Sequence, residues 1–528
     1  MTWPCGVKPL DLADFESRAR NLRYRALGAA CRDKQIKYLL LGHHEDDQAE
    51  TVLMRMASGH KGTGLQGMLG ISEIPECWGV HGVHESGYYE SASIRLGRLE
   101  KKQQDLSTER ARDLRRILAS EPIIEKGGVS IVRPLLRFNK SRLYETCRAQ
   151  NVTWEEDETN KNVWRTPRNA IRKLLSGSIL PAALQKESMI SLAYRKREEM
   201  HKTTAIAAKM FSHCEIWLFD VRSGGLIIRL PNSLMNRKKF GGRSPQLRAY
   251  IANVRMSSTV MLRRIVEMVT PQEEVALRTL RFAVLSMFPE LRGDEFDGDP
   301  RFQEAGFTAC GVQFQRLRSP LPQQLRSDII QDNGEDLGSD WHDLDPDFVW
   351  KLTRQPFSTI LPTLTVASST RSTISPLPLS GVSRPDTHII STVYNWSPWK
   401  LWDGRYWIRV LNFSIRPLIV RPFQIADLQA LKATLPSRQW RMFHDHLGRA
   451  APEQLRWTLL TIAEVGHNND PGRVLALPTL GQTGQLHVED ENGKRRLAWN
   501  IRYKKIHLDW KDDRSVGRNR DVITTWND

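Results

Sequence analysis

The sequence predicts an α/β fold: a partial parallel sheet first, then an α-rich middle region and a mixed α+β C-terminal region. Three observations carry this. Apolar runs of strand length at Tyr38 to Leu41 and Val129 to Leu136 are each followed by a stretch with helical periodicity. Such alternation of strand and helix builds parallel sheets with helices on both faces. A turn, Gly42-His43-His44, releases the first run into a helix whose opening residues are acidic.

That helix is the centre of the chain. Ala49, Val52, Leu53 and Met56 recur at helical spacing and are expected to face the core, while Asp46, Asp47 and Glu50 fall on an adjoining face. Asp47 and Glu50 stand one turn apart and can close on one ligand. Carboxylates in a first helical turn are stabilised by the helix dipole, and the crevice beyond the carboxyl end of a strand is where open α/β sheets bind ligands. The plainer reading is a capping turn followed by an ordinary acidic helix start. A metal site is the weakest reading, because the spacing is not HExxH and no second histidine-rich segment supplies ligands.

Before it, Asp11 to Asp33 reads as a helix with Leu12, Phe15, Ala19, Leu22 and Ala26 on its buried face and Arg20 and Arg23 projecting together. After it, Gly59, Gly62, Gly64 and Gly67 form a loop able to approach a ligand closely. Residues 70–128 read as an insertion, solvated and mobile, with Leu99 to Ala119 as a charged helix. Val129 to Leu136 resumes as a strand, Asn139 to Gln150 as a helix and Val152 to Trp154 as a short strand. Pro167 then opens a helix carrying Arg168 and Arg172.

The string GHHEDDQAETVLMR with GTGLQGM, between Gly42 and Met68, resembles the second signature of the tRNA(Ile)-lysidine synthases, N-type ATP pyrophosphatases of the PP-loop group. ARNLRY at Ala19 to Tyr24, RPLL at Arg133 to Leu136, EDETN at Glu156 to Asn160 and RNAIR at Arg168 to Arg172 follow that family's order. One departure is plain: the family's SGGxDS phosphate loop does not appear, and 42 residues precede His43. The single SGG, Ser223 to Gly225, lies between IWLFDV and LIIRL and reads as a hairpin turn. An N-terminally incomplete domain is therefore expected.

The resemblance implies a Rossmann-like (adenine nucleotide alpha hydrolase-like) sheet and a reaction. ATP adenylates the C2 oxygen of the wobble cytidine in the CAU anticodon of tRNA(Ile), and the ε-amine of free L-lysine displaces AMP. It implies His43, Asp47 and Glu50 as catalytic residues, with the carboxylates on the lysine ammonium groups and His43 as proton acceptor or hydrogen-bond partner of the base. Arg23, Asp46, Arg168 and Arg172 would hold lysine, nucleotide or tRNA. Magnesium would enter with ATP, held mainly by phosphates and waters. The alternative is a tRNA-binding pseudoenzyme. A tRNA thiolase is disfavoured, since no cysteine is placed to carry sulfur.

Length and composition agree. At 528 residues two to four folded units are expected: 1–180 catalytic, 181–355 α-rich and tRNA-contacting, 356–386 a Pro/Ser/Thr-rich linker, 387–528 C-terminal. The net charge of +17 suits a polyanion such as tRNA. Six scattered cysteines without a CxxC pair argue for a reducing compartment and against structural zinc. No apolar stretch has bilayer-spanning length, and the resemblance makes the mitochondrion or cytoplasm the expected location.

In the middle region Ala182 to Phe211, Ser257 to Val269 and Gln272 to Met287 read as helices, Cys214 to Leu230 as a hairpin and Asn236 to Arg248 as a basic patch. Further on, Tyr406 to Val420 reads as paired strands, with more β character at Val474 to Leu477 and Lys494 to Tyr503. Trp396, Trp399, Trp402 and Trp407 suit a core or stacking on unpaired bases. His444-Asp445-His446, adjacent on a helix, cannot all face one ion and reads as surface.

Overall fold

The structure is a computed structural model describing residues 15–89, 122–156, 162, 166–177, 179–231, 234, 245–292, 302, 306–317, 349–358, 360–368, 371–373, 392–414, 416–466, 472–489 and 496–507. The expected charged helix at Leu99 to Ala119, Asp157 to Asn160 and most of the Asn236 to Arg248 patch lie outside them.

The first unit runs α1 (Phe15–Asp33), β1 (Tyr38–Leu40), α2 (Glu45–Ala57), β2 (Ile71–Glu73), β3 (Gly87–Tyr89), β4 (Ile123–Gly127), β5 (Ser130–Val132), α3 (Lys140–Ala149), α4 (Pro167–Ser176) and α5 (Lys186–Phe211). β1 pairs in parallel with β5, Leu39 opposite Ile131. β2 pairs antiparallel on the other side of β5, so the described sheet is mixed, in the order β1-β5-β2. Val152 to Trp154 is not a strand. Asn151 takes a positive φ at the end of α3, and the Val152 N–H turns back to donate to Cys147 O, which closes the helix instead of joining a sheet.

The face that α1 buries also differs from expectation. Leu22 and Ala26 are exposed, and the buried stripe is Tyr24, Gly28 and Cys31, at helical spacing. This stripe rests on Ile74, Cys77, Val83 and Ile131. A Cβ on Gly28 would lie 2.5 Å from Val83 Cγ1, so glycine is what lets the helix sit down. Residues 71–89 and 122–127, expected as mobile insertion, are thus partly core.

The middle region has more strand than its α-rich expectation. β6 (Glu215–Asp220), β7 (Gly225–Arg229), β8 (Gly306–Ala309), β9 (Val312–Arg316) and β10 (Val349–Arg354) form an antiparallel sheet in the order β6-β7-β10-β9-β8. The SGG is the turn between β6 and β7, with Gly224 at φ +69°. α6 (Pro245–Glu267) and α7 (Leu277–Met287) cover the sheet, placing Met261, Ile265, Leu280 and Val284 against Leu226, Phe314 and Leu352 in the largest core.

The Pro/Ser/Thr-rich stretch contributes β11 (Leu364–Val366) and β12 (Arg371–Thr373), the latter paired with β13 (Thr392–Tyr394). Then come β14 (Lys400–Trp402), β15 (Tyr406–Asn412), β16 (Leu418–Pro422), α8 (Ile425–Thr434), α9 (Ser437–Ala450), β17 (Leu460–Glu464), β18 (Val474–Ala476) and β19 (Leu497–Tyr503). β15 and β16 do not pair with each other: β16 joins β11-β16-β17-β18, while β15 joins β14-β15-β19-β4-β3. Alternation gives β15 one face, Tyr406, Ile408 and Val410, that packs with Val420 and Ile462 of the other sheet, so the two strands face across a core instead of sharing a ladder. The second sheet joins the two ends of the chain, since β19 runs parallel to β4 of the first unit.

A buried ion network ties the middle and C-terminal sheets. Arg405 is 0% exposed and donates to Ser223 O at 3.0 Å, Thr458 O at 3.2 Å and Asp403 Oδ2 at 2.8 Å. Among the described residues no helix is long and apolar enough to cross a membrane, and no group of three or more metal-binding side chains occurs. His444 and Asp445 are exposed on α9.

Candidate active site

β1 ends at the turn Gly42-His43-His44, and α2 begins there because its third residue caps it. Asp47 Oδ2 accepts the His44 backbone N–H at 3.0 Å. Ala49 and Val52 then point into the core, as their spacing demands, and Leu53 lies with them beside Met189 and Ala193 of α5. The same rotation turns Asp47 and Glu50 toward α4. That helix starts at Pro167 because Thr166 Oγ1 accepts the Asn169 N–H at 3.2 Å. Arg168 and Arg172, four residues apart, therefore leave α4 on one face.

The two pairs meet. Arg168 Nη2 is 3.0 Å from Asp47 Oδ1 and its Nε is 2.8 Å from Glu50 Oε2. Arg172 Nε is 2.8 Å from Glu50 Oε1 and its Nη2 is 3.2 Å from Oε2. Glu50 is the deepest member, its side chain 3% exposed against 13% for Asp47 and 31% for Arg168. Both oxygens of Glu50 are thus satisfied by guanidinium donors, while Asp47 keeps the more open position. Arg168 was expected to face a substrate carboxylate or phosphate; its partners are these two carboxylates, because two arginines one turn apart match two acids one turn apart.

His43 sits at the mouth of this group. Burial lowers its pKa; Asp47 works in the opposite direction, and the charges of Arg133, Arg168 and Arg23 lower it further. Its Nδ1 is buried without a hydrogen-bond partner. The imidazole is therefore neutral near pH 7 and free to take a proton. Arg23 is exposed on α1 with its guanidinium 5.5 Å from the Tyr24 ring.

Asp46 is not part of the cluster. Its Oδ2 accepts the Lys140 N–H at 2.9 Å, and Lys186 Nζ lies 2.6 Å from its Oδ1. The His44 side chain, with Lys186 and the Lys140 amide, holds its carboxyl well below the usual carboxylate range. It fastens α2 to the starts of α3 and α5.

Arg133 opens the RPLL match, but the sequence assigns it no role in the site. It follows β5 directly, next in the sheet to the strand that delivers His43; that position was the signal. Arg133 Nη1 donates to Leu69 O at 2.9 Å and Ser72 Oγ at 3.0 Å, while its Nε is buried without a partner. The orphaned Arg133 Nε donor, in a setting of arginines, fits an anionic ligand such as a nucleotide phosphate.

The glycine loop is braced from α2 and α5. Gln48 and Met68 exchange two 2.7 Å hydrogen bonds, Arg55 donates to Gly64 O and Gly67 O, and Arg197 donates to Gln66 O and Met68 O. A cleft of about 2190 Å³ opens beside it, lined by His60, Arg133, Arg197, Arg264, Lys504 and His507 among others. Its lining includes Arg133 but not Asp47, Glu50 or Arg168, so the two regions adjoin through Arg133.

Comparison with known proteins bears on the N-terminal third of the chain. A family model described as the PP-loop domain matches residues 5–91 and 104–179. The chain is similar to a probable tRNA(Ile)-lysidine synthase of Schizosaccharomyces pombe, 30% identical over 167 residues, covering 31% of this chain and 27% of that protein. The tRNA(Ile)-lysidine synthase of Wolbachia pipientis wMel is 25% identical over 184 residues, covering 35% and 30%. That of Bordetella parapertussis is 46% identical over 74 residues, covering 14% and 21%. The matches thus span less than a third of these relatives' length. With β1, α2, α4 and α5 inside the matched segment or bordering it, the N-terminal third of the chain is a PP-loop domain, of an ATP-using family and distantly related to the tRNA(Ile)-lysidine synthases.

Proposed function

We propose that the chain attaches lysine to C2 of the wobble cytidine in the CAU anticodon of tRNA(Ile), at the expense of ATP. ATP supplies the adenylyl group that makes the C2 oxygen a leaving group, with pyrophosphate released and magnesium entering on the phosphates. The lysine amine then forms the C–N bond to C2 while the C–O bond to AMP breaks, and the proton lost by the amine passes to a base.

The observation that carries this reading is the charge arrangement around His43, in which the acid Asp47 and the cations Arg133, Arg168 and Arg23 act on its imidazole. Asp47, partly open, receives an ammonium when Arg168 yields; a carboxylate favours the charged form of an amine, so the amine becomes nucleophilic only when a separate base takes its proton. His43, neutral and with Nδ1 unengaged, takes the proton. Arg133 and Arg23 face phosphate. Glu50, closed by two arginines, positions Arg168 and Arg172 instead of touching substrate.

The test is lysine incorporation into a CAU-anticodon tRNA(Ile) transcript, run beside ATP–pyrophosphate exchange. ATP-dependent incorporation that is lost in Asp47→Asn supports the reading. Exchange without incorporation in the wild-type chain, or incorporation unchanged in Asp47→Asn, overturns it.

A further inference from the structure

We propose that the outer face of the β14-β15-β19 sheet binds an unpaired RNA base, stacked on Trp396. The partner follows from the RNA substrate proposed above, but the site is a separate one. On β15 the residues alternating with the buried Tyr406, Ile408 and Val410 are Trp407 and Arg409, and across the ladder Arg502 stands opposite Trp407 and Asn500 opposite Arg409.

These side chains form a short column of cations and rings gathered around Trp399. The Arg409 guanidinium lies 4.7 Å from the Trp396 ring and 4.9 Å from the Trp399 ring. On Trp399 the column continues with Arg502 at 4.5 Å and His81, stacked at 4.8 Å with 17° between planes. Asn500 fixes Arg409, its amide oxygen accepting from Nη2 at 2.9 Å and Nε at 3.1 Å in the orientation that satisfies both.

The two ends of the column differ. The inner end is closed by Glu125, fully buried, which takes His81 Nε2 at 2.9 Å and Arg502 Nη1 at 2.8 Å. At the outer end Trp396 is 36% exposed, and among the described residues no other ring or cation lies against it. A tryptophan backed by a guanidinium, with about a third of its surface exposed, is a stacking platform for one more flat ring. Arg409 gives the platform a positive neighbour, and the chain as a whole carries +17. Stacking needs a base that is not already in a duplex, so the occupant is a single-stranded segment.

The experiment uses the full chain and a labelled single-stranded oligoadenylate of about eight nucleotides, within the site size of a stacking surface, with a blunt duplex RNA of equal length as control. Fluorescence anisotropy is expected to show Trp396→Ala binding the single strand about ten-fold more weakly, with Trp396→Phe retaining most of the affinity. Duplex binding is expected to be the same in all three proteins. Equal single-strand affinity in Trp396→Ala and wild type overturns the proposal, as does equal loss for single strand and duplex. Thermal melts of each variant identify misfolding, in which case Phe rescue decides. Lysine incorporation by the wild-type chain is scored separately, so failure of the catalytic reading leaves this result standing, and the reverse.

Discussion

Arg168 Nε lies 2.8 Å from Glu50 Oε2, joining side chains 118 positions apart. This contact makes the start of α4 a lid on the start of α2. It also makes Glu50 a structural anion: removing its charge strands two guanidiniums. Glu50→Gln is expected to destabilise the chain by about 3 kcal/mol, the low end for a broken buried pair because both arginines keep some solvent. Urea denaturation measures it. Asp47→Asn, whose carboxylate is more open, is expected to cost about 1 kcal/mol while abolishing lysine transfer.

His43 sets the pH dependence of the transfer step. Its pKa is held below the ordinary 6.5, first by burial and then by the nearby arginines. A lowered pKa keeps the neutral form dominant at neutral pH, so the transfer rate is expected to rise with pH through a midpoint below 6.5 and then level off. Single-turnover rates between pH 5 and 8 test this. His43→Asn is expected to remove the acidic limb and to slow transfer about 10²-fold or more.

The junction between β4 and the C-terminal sheet is expected to be acid-labile. Burial of Glu85 opposes its ionised form, but the hydrogen bond and charge of His507, with Lys505, outweigh it and hold the carboxyl at about 2. Glu125, under the same opposition, is lowered by His81 and Arg502. A carboxylate with a depressed folded pKa contributes stability above its unfolded value near 4.5 and loses it as pH falls through the folded value. Stability is therefore expected to decline from about pH 5 toward pH 2. Tryptophan fluorescence, sensitive to Trp399 and Trp407 beside His81, follows the change.

Gly67→Ala probes the loop. Gly67 has φ +69°, and an added Cβ would lie 2.5 Å from Gln48 Oε1, the atom that accepts the Met68 N–H. A cost of about 1–3 kcal/mol is expected. Gln48→Ala combined with it is expected to be less than additive, as measured by a double-mutant cycle of thermal stability.

What the sequence disclosed depended on local signals. The turn after Leu41, the start of α2 and the Thr166-Pro167 opening of α4 are written in neighbouring residues, so the elements carrying His43, Asp47, Glu50, Arg168 and Arg172 could be read in advance. The partners of those residues could not. That Arg168 meets Asp47 and Glu50 depends on how α2 and α4 pack, which no single segment encodes. The burial of α1 was misread because Tyr24, Gly28 and Cys31 carry the contact while more apolar Leu22 faces out. β3 and β4, three and five residues long, have too few residues for periodicity to register and take their place by pairing, β3 with β4 and β4 with β19.

The parallel pairing of Arg502 and Tyr503 with Ile123 and Ile124 bears on how the protein is made. A ribosome delivers the partner of β4 only after some 370 further residues have emerged, so that edge of β4 stays unfilled over that interval. Chains halted before Leu497 are expected to expose that edge, read as faster hydrogen exchange in β4 than in the chain that includes β19.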